Sequence, residues 1–238
     1  MPHTFDTTSW SVVLTARDSA SDRADEALSR LVQTYWMPVY WYVRRQGYGD
    51  EDAKDLTQGF FCRLLARDFL RNVRPDLGRF RTFLLTALKH FLRDEWQKTR
   101  GRGRDDVTRV ALDFAAAEAA YLQYSSHEED PCMVFDRQWA RALLDSVLRQ
   151  LAAEYVARGC GDVFETFREC LIVDGSRLNL GEKAASLGMS MSAAKVTVHR
   201  LRKRYAKRIR GEIARTVESP EAVDDELHYL FQVVGKDL

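Results

Sequence analysis

The chain has 238 residues, 45% of them apolar, and its 36 Lys and Arg against 35 Asp and Glu leave a net charge of +1. That is enough apolar material for two compact domains, and so even a balance argues against a surface uniformly adhesive to polyanions. Four cysteines with no CxxC pair and five scattered histidines with no HExxH argue against a zinc site, and no stretch reads as a secretory or membrane-spanning segment; a cytoplasmic protein without metal or cofactor is expected.

Only 13 Gly and 5 Pro, set among many Ala, Leu, Arg and Glu, with no strand-like alternation, predict an all-α fold. Residues 1–21 form a polar leader with one apolar knot at 10–14, and no function follows from it. From residue 22 to 46 the apolar positions Leu28, Leu31, Val32, Tyr35, Trp36, Val39, Tyr40 and Val43 recur at helical spacing, and Pro38 should kink this helix or start another. After the turn at 47–50, Asp50 or Asp52 caps a second helix. Its apolar arc is Ala53, Leu56, Phe60, Phe61, Leu64 and Leu65, and Asp55, Gln58, Gly59 and Cys62 lie opposite. Glycine at 59 costs a helix about 1 kcal/mol relative to alanine, which a closely approaching partner would explain.

Residues 69–79 read as a loop, leading into a long helix over 80–100 that mixes aromatics with cations. Phe83, Leu84, Leu88 and Phe91 belong to its core side. The loop and the exposed side of the helix have the stacking surfaces and charges that unpaired bases and their phosphates require. Residues 105–136 look like a linker with one helix at most, and a second domain is expected over 137–217. Ala142, Leu143, Val147, Leu148 and Leu151 mark its first helix, and Phe164, Phe167, Cys170 and Leu171 a second.

The stretch 180–205 reads as helix, tight turn and helix. Gly188 suits the positive φ that ends the first helix, and Ser190 is placed to cap the next. At 100° per residue, Met191, Ala194, Val198, Leu201 and Tyr205 share one arc. Ser192, Ala193, Val196, Thr197, Arg200, Lys203 and Arg204 face away, flanked by Lys195 and His199. Small side chains in front and cations behind are what a major-groove reading helix needs.

Charge is unevenly placed. Residues 195–215 hold nine Lys or Arg and one Glu, and residues 71–104 ten basic against three acidic, whereas 218–238 hold six acidic and one basic. Two basic patches suggest two places where a polyanion is held. The acidic tail, with Val223, Leu227, Leu230 and Phe231 at helical spacing, is expected to fold back on the basic helix as a brake or to bind a partner.

Three stretches in this order resemble the bacterial RNA polymerase sigma factors of the extracytoplasmic-function type. Residues 52–61, DAKDLTQGFF, are similar to the helix that docks on the largest polymerase subunit. Residues 80–96, FRTFLLTALKHFLRDEW, are similar to the helix engaging the melted minus-ten element. Residues 187–205, LGMSMSAAKVTVHRLRKRY, are similar to the minus-thirty-five reader. The resemblance covers roughly 22–104 and 137–210 and implies two helical domains, core RNA polymerase and promoter DNA as partners, and no catalysis by the chain itself. It assigns polymerase contact to Asp52, Asp55, Gln58, Gly59 and Cys62. Minus-ten contact falls to Arg71, Asn72, Arg74, Arg79, Arg81, Lys89, His90, Arg93 and Lys98, with loop 71–79 holding a flipped base. Minus-thirty-five contact falls to Ser192, Lys195, Val196, Thr197, His199, Arg200, Lys203 and Arg204. An anti-sigma regulator is expected for many members, and no residue here identifies one. Gly59 stands where the family usually carries an acid, Phe83 where Trp is common and His90 where Asn is common. The competing reading is a helix-turn-helix regulator that never touches polymerase. A nucleic-acid enzyme would need carboxylates gathered in one site, and none are recognisable.

Overall fold

A computed structural model describes residues 22–65, 79–99, 113–124, 129–172, 179–217 and 219–235. Among them the regular structure is helical: α1 (Asp22–Arg45), α2 (Asp50–Leu65), α3 (Phe80–Thr99), α4 (Phe114–Tyr124), α5 (Pro131–Ala157), α6 (Gly161–Phe167), a 3-10 turn (Arg168–Leu171), α7 (Leu180–Ser186), α8 (Met191–Ala214) and α9 (Ala222–Val234). The all-α expectation stands. The leader 1–21 and most of the loop 69–79 lie outside the described residues, and with them Arg71, Asn72 and Arg74.

The described residues divide into two compact units, one comprising those from Asp22 through Ala142 and again from Ile213, the other Leu143–Glu212. In the first, α1 packs against α2 and α4, and α2 against α3. Leu28, Leu31, Val32, Tyr35, Val39, Tyr40 and Val43 are buried along α1. The helix continues through Pro38 instead of restarting there. An interior proline costs a helix about 3 kcal/mol; the four residues Tyr40 to Val43 just beyond it are all buried, and burial of that much apolar surface outweighs the loss. The region expected to be a linker contributes α4 as part of the body. Phe114 sets its edge against Trp36 and Tyr40, Tyr121 against Trp41, and Glu118 accepts a forked pair of bonds from Arg44 at 2.7 and 2.9 Å.

The acidic tail, expected on the basic helix or on a partner, forms α9 and belongs to this first unit. It buries Val223, Leu230 and Val233 together with Glu226, which is 1% exposed. Glu226 accepts from Arg81 Nε at 2.9 Å and pairs with Arg79 at 2.9 Å. Arg81 also donates to Asp136 at 2.6 Å, and its guanidinium lies 4.9 Å from the Trp139 ring centre and 4.6 Å from that of Tyr229. The Tyr229 hydroxyl donates to Asp136 as well.

The second unit is built on Leu151, Phe164, Phe167, Cys170, Ala184, Ala194, Val198 and Leu201, gathered from α5, α6, the 3-10 turn, α7 and α8. Its helix-turn-helix joint has the expected chemistry. Gly188 sits at φ 63°, and Ser190 Oγ accepts from Ala193 N at 3.2 Å. A second cap, which the pattern of apolar residues does not reveal, is Asn179, whose side chain accepts from Glu182 N at 3.3 Å.

Candidate nucleic-acid interface

The outward face of α8 follows from its inward one. Ala194, Val198 and Leu201 are buried and fix the helix by its back, leaving Ser192, Ala193, Lys195, Val196, His199, Arg200, Lys203 and Arg204 exposed, with Thr197 partly so. Met191, expected in the core arc, is 45% exposed: it stands in the first helical turn, over Gly181 at the start of α7, where the core ends. Apart from Lys195, the front half of this face carries small or short side chains, a surface on which the backbone could approach a groove closely. Behind it the cations differ in freedom. Arg204 donates to the Tyr155 hydroxyl at 3.4 Å and lies over that ring, Arg202 donates to the Cys170 carbonyl at 2.9 Å, and Arg208 bonds Gln150 and Glu154. These three anchor the rear of α8 to its own unit, while Lys195, Arg200 and Lys203 project.

On α2, Asp52 and Asp55 are exposed, and Gln58, Gly59 and Cys62 are partly exposed on the side away from Ala53, Phe60, Phe61 and Leu64. Asp50 is drawn inward: it bonds Lys54 and the Tyr40 hydroxyl, and the Lys54 bond first of all holds its carboxyl below the ordinary range. Burial raises the Cys62 thiol. Gly59 has an internal reason. A Cβ there would lie 3.3 Å from the tip of the Phe91 ring of α3, so the close approach that its helix cost called for comes from within the unit. Thr57, placed in neither face by the apolar pattern, is buried.

α3 changes the expected site most. Arg81 is 7% exposed, held by Asp136 and Glu226 between two aromatic rings, which corrects the expectation that it touches DNA. Burial works against its charge, yet the bonded Glu226 and the nearby Asp136 hold its pKa above the ordinary arginine range. Arg79 is partly exposed and paired with Glu226, so it too is committed within the unit. Lys89, His90 and Arg93 are exposed as expected; the Lys98 side chain lies outside the described ones. Lys89 and Arg93 border a cleft of about 310 Å³ with Tyr42, Gln46, Tyr48, Leu92 and Trp96, the last 54% exposed. Tyr42 is raised by burial, with Lys89 opposing the rise; Lys89 is itself raised, chiefly by its bond to Cys132. An open cleft with aromatic walls and two cations suits a planar, negatively charged ligand such as an unpaired nucleotide. Positions 89, 93 and 96 share a helix face, so Trp96 was within reach of sequence reasoning; Gln46 and Tyr48, at the end of α1, left no such signal.

All four cysteines carry free thiols. Among the described residues no group of three or more His, Cys, Asp or Glu side chains could hold a metal ion, and no helix is long and apolar enough to cross a membrane. No family model, curated protein or solved structure matches the chain.

Proposed function

We propose that this chain is a promoter-specificity subunit of bacterial RNA polymerase, a cytoplasmic sigma factor of the extracytoplasmic-function type. The observation that carries the reading is the outward face of α8, a small-residue front with free cations behind it, in a chain that also bears a separate aromatic and cationic cleft. In this reading α8 enters the duplex major groove. Ser192, Val196 and Thr197 approach base edges, Lys195, His199 and Arg200 reach guanine or adenine, and Lys203 takes backbone phosphate. Asp52, Asp55 and Gln58 on α2 meet the core enzyme. Lys89, His90 and Arg93 follow the strand exposed by melting, with Trp96 as a stacking surface. The covalent chemistry is the polymerase's.

The test is run-off transcription by core enzyme plus this protein on a randomised promoter library, with capture of core enzyme by the wild-type chain and by Asp55→Ala and Gln58→Ala. The expected result is initiation at a defined pair of elements and core binding weakened about fivefold or more by either substitution. A wild-type chain that binds a defined duplex but never core enzyme supports the helix-turn-helix regulator instead.

A further inference from the structure

Helix α3 begins badly by its own sequence. Its first turn contains no acidic residue, and Arg79 and Arg81 stand at its head, where the unpaired N–H groups already concentrate positive charge. Arg79 is the cap position, since its carbonyl accepts from Thr82 N and Phe83 N at 3.0 and 3.2 Å. The negative charge that this helix start lacks arrives from two other elements: Glu226 of α9, which meets both arginines, and Asp136 of α5, which meets Arg81.

We infer that α9 is a positioning element for the strand-reading helix: through Glu226, and through Tyr229 acting on Asp136, it fixes Arg79, Arg81 and the first turn of α3. The inference rests on the reading of α3 as the helix that engages the melted promoter strand. None of these residues touches DNA. They act by holding the start of the helix whose exposed side, at Lys89, His90 and Arg93, does. The C-terminal segment then supports promoter opening, the opposite of a brake.

The experiment compares the full-length wild type with Glu226→Gln, Tyr229→Phe and a chain ending at Val217. Three quantities are read with core enzyme: holoenzyme assembly, binding of a minus-thirty-five duplex, and strand opening reported by 2-aminopurine placed in the minus-ten element. Amide hydrogen exchange over residues 80–84 is read on each chain without polymerase. The inference expects Glu226→Gln to slow opening about tenfold or more and to speed exchange at 80–84 by a similar factor. Assembly and duplex binding should stay within about twofold, because α2 and α8 keep their own anchors. Tyr229→Phe should move both readouts the same way by a smaller factor. Where Glu226→Gln fails to fold, Tyr229→Phe decides: exchange at 80–84 equal to wild type overturns the inference. Opening that is unchanged, or faster, in the chain ending at Val217 overturns it as well, the faster case marking α9 as a brake. A wild type that binds no core enzyme defeats the sigma reading, while exchange at 80–84 still decides what α9 does to α3.

Discussion

A single guanidinium illustrates how far the same residue type can diverge in role. Arg81 and Arg93 lie on one helix, yet the first is enclosed by two carboxylates and two rings while the second is exposed on the cleft. Leaving one member of a buried pair without its partner costs about 3–5 kcal/mol, whereas a solvent-screened surface pair such as Lys54 with Glu51 contributes little. Because Arg81 keeps Asp136, Glu226→Ala should lower the unfolding free energy in a urea titration by up to about 3 kcal/mol, the lower end of that range, and Glu51→Ala by far less. Equal effects would mean that the Arg81 network has no special standing. Tyr229 offers a second handle. Burial first, then its bond to Asp136, pushes its pKa up to about 12 from 10.0. A tyrosine with a raised folded pKa binds its proton more tightly when folded, so the stability it contributes is complete below pH 10 and is lost as pH rises through 12. Melting curves should show that alkaline decline in the wild type and less of it in Tyr229→Phe.

At the scale of elements, the helix-turn-helix joint depends on two backbone details. Alanine at Gly188 must adopt φ 63°, a conformation that costs a residue with a Cβ about 1–2 kcal/mol. Alanine at Ser190 removes the bond to Ala193 N, worth about 1 kcal/mol. The two substitutions should lower the stability of the unit around α8 additively within about 0.5 kcal/mol if each acts on its own side of the turn. If α8 reads a duplex as proposed, binding should fall only through that loss, since both positions precede the helix and lie outside its exposed face. This joint was legible in the sequence because its determinants are local: a glycine, then a serine two residues on. The arc of α2 was legible for the same reason in the main: Ala53, Phe60, Phe61 and Leu64 are buried as their spacing indicates, whereas Leu56 is only partly buried beside the buried Thr57, and the Leu65 side chain lies outside the described ones. What could not be read was any role set by a distant partner. Arg81 meets Asp136 across 55 positions and Glu226 across 145, and beside Phe80 and Phe83 it carries the same local signature as a strand-binding arginine. Trp36, Tyr40 and Trp41 likewise announce a core but not that α4 closes it.

Over the whole molecule, the path of the chain matters as much as its charge. The first unit is discontinuous, returning after Glu212 to complete itself with α9, so its stability depends on two stretches far apart in the sequence. Val223, Leu230 and Val233 each contribute about 1.5–3 kcal/mol by burial, a sum comparable to the total stability of many domains. A chain ending at Val217 should therefore melt earlier in the unit holding α1 to α4 while the unit around α8 keeps its own transition, and calorimetry should resolve the two. With a net charge of +1, the proposed attraction to DNA would be local and would depend on which cations remain uncommitted. On α8, Arg202, Arg204, Arg208 and Arg210 have interactions of their own, so under the proposed reading Lys195, Arg200, Lys203 and the exposed Lys207 are the cations offered to a duplex. If about four phosphates are neutralised, log K should fall against log salt with a slope of about −3.6, or roughly 150-fold between about 50 and 200 mM. Lys203→Ala should reduce the slope by about one and weaken all sequences alike, as expected of a phosphate contact. Arg200→Ala should instead flatten base preference at one or two positions, worth about 1–3 kcal/mol each, with a smaller change in slope. Identical signatures for the two substitutions would place Arg200 on the backbone, and base reading would then have to come from the shorter side chains at Ser192, Val196 and Thr197.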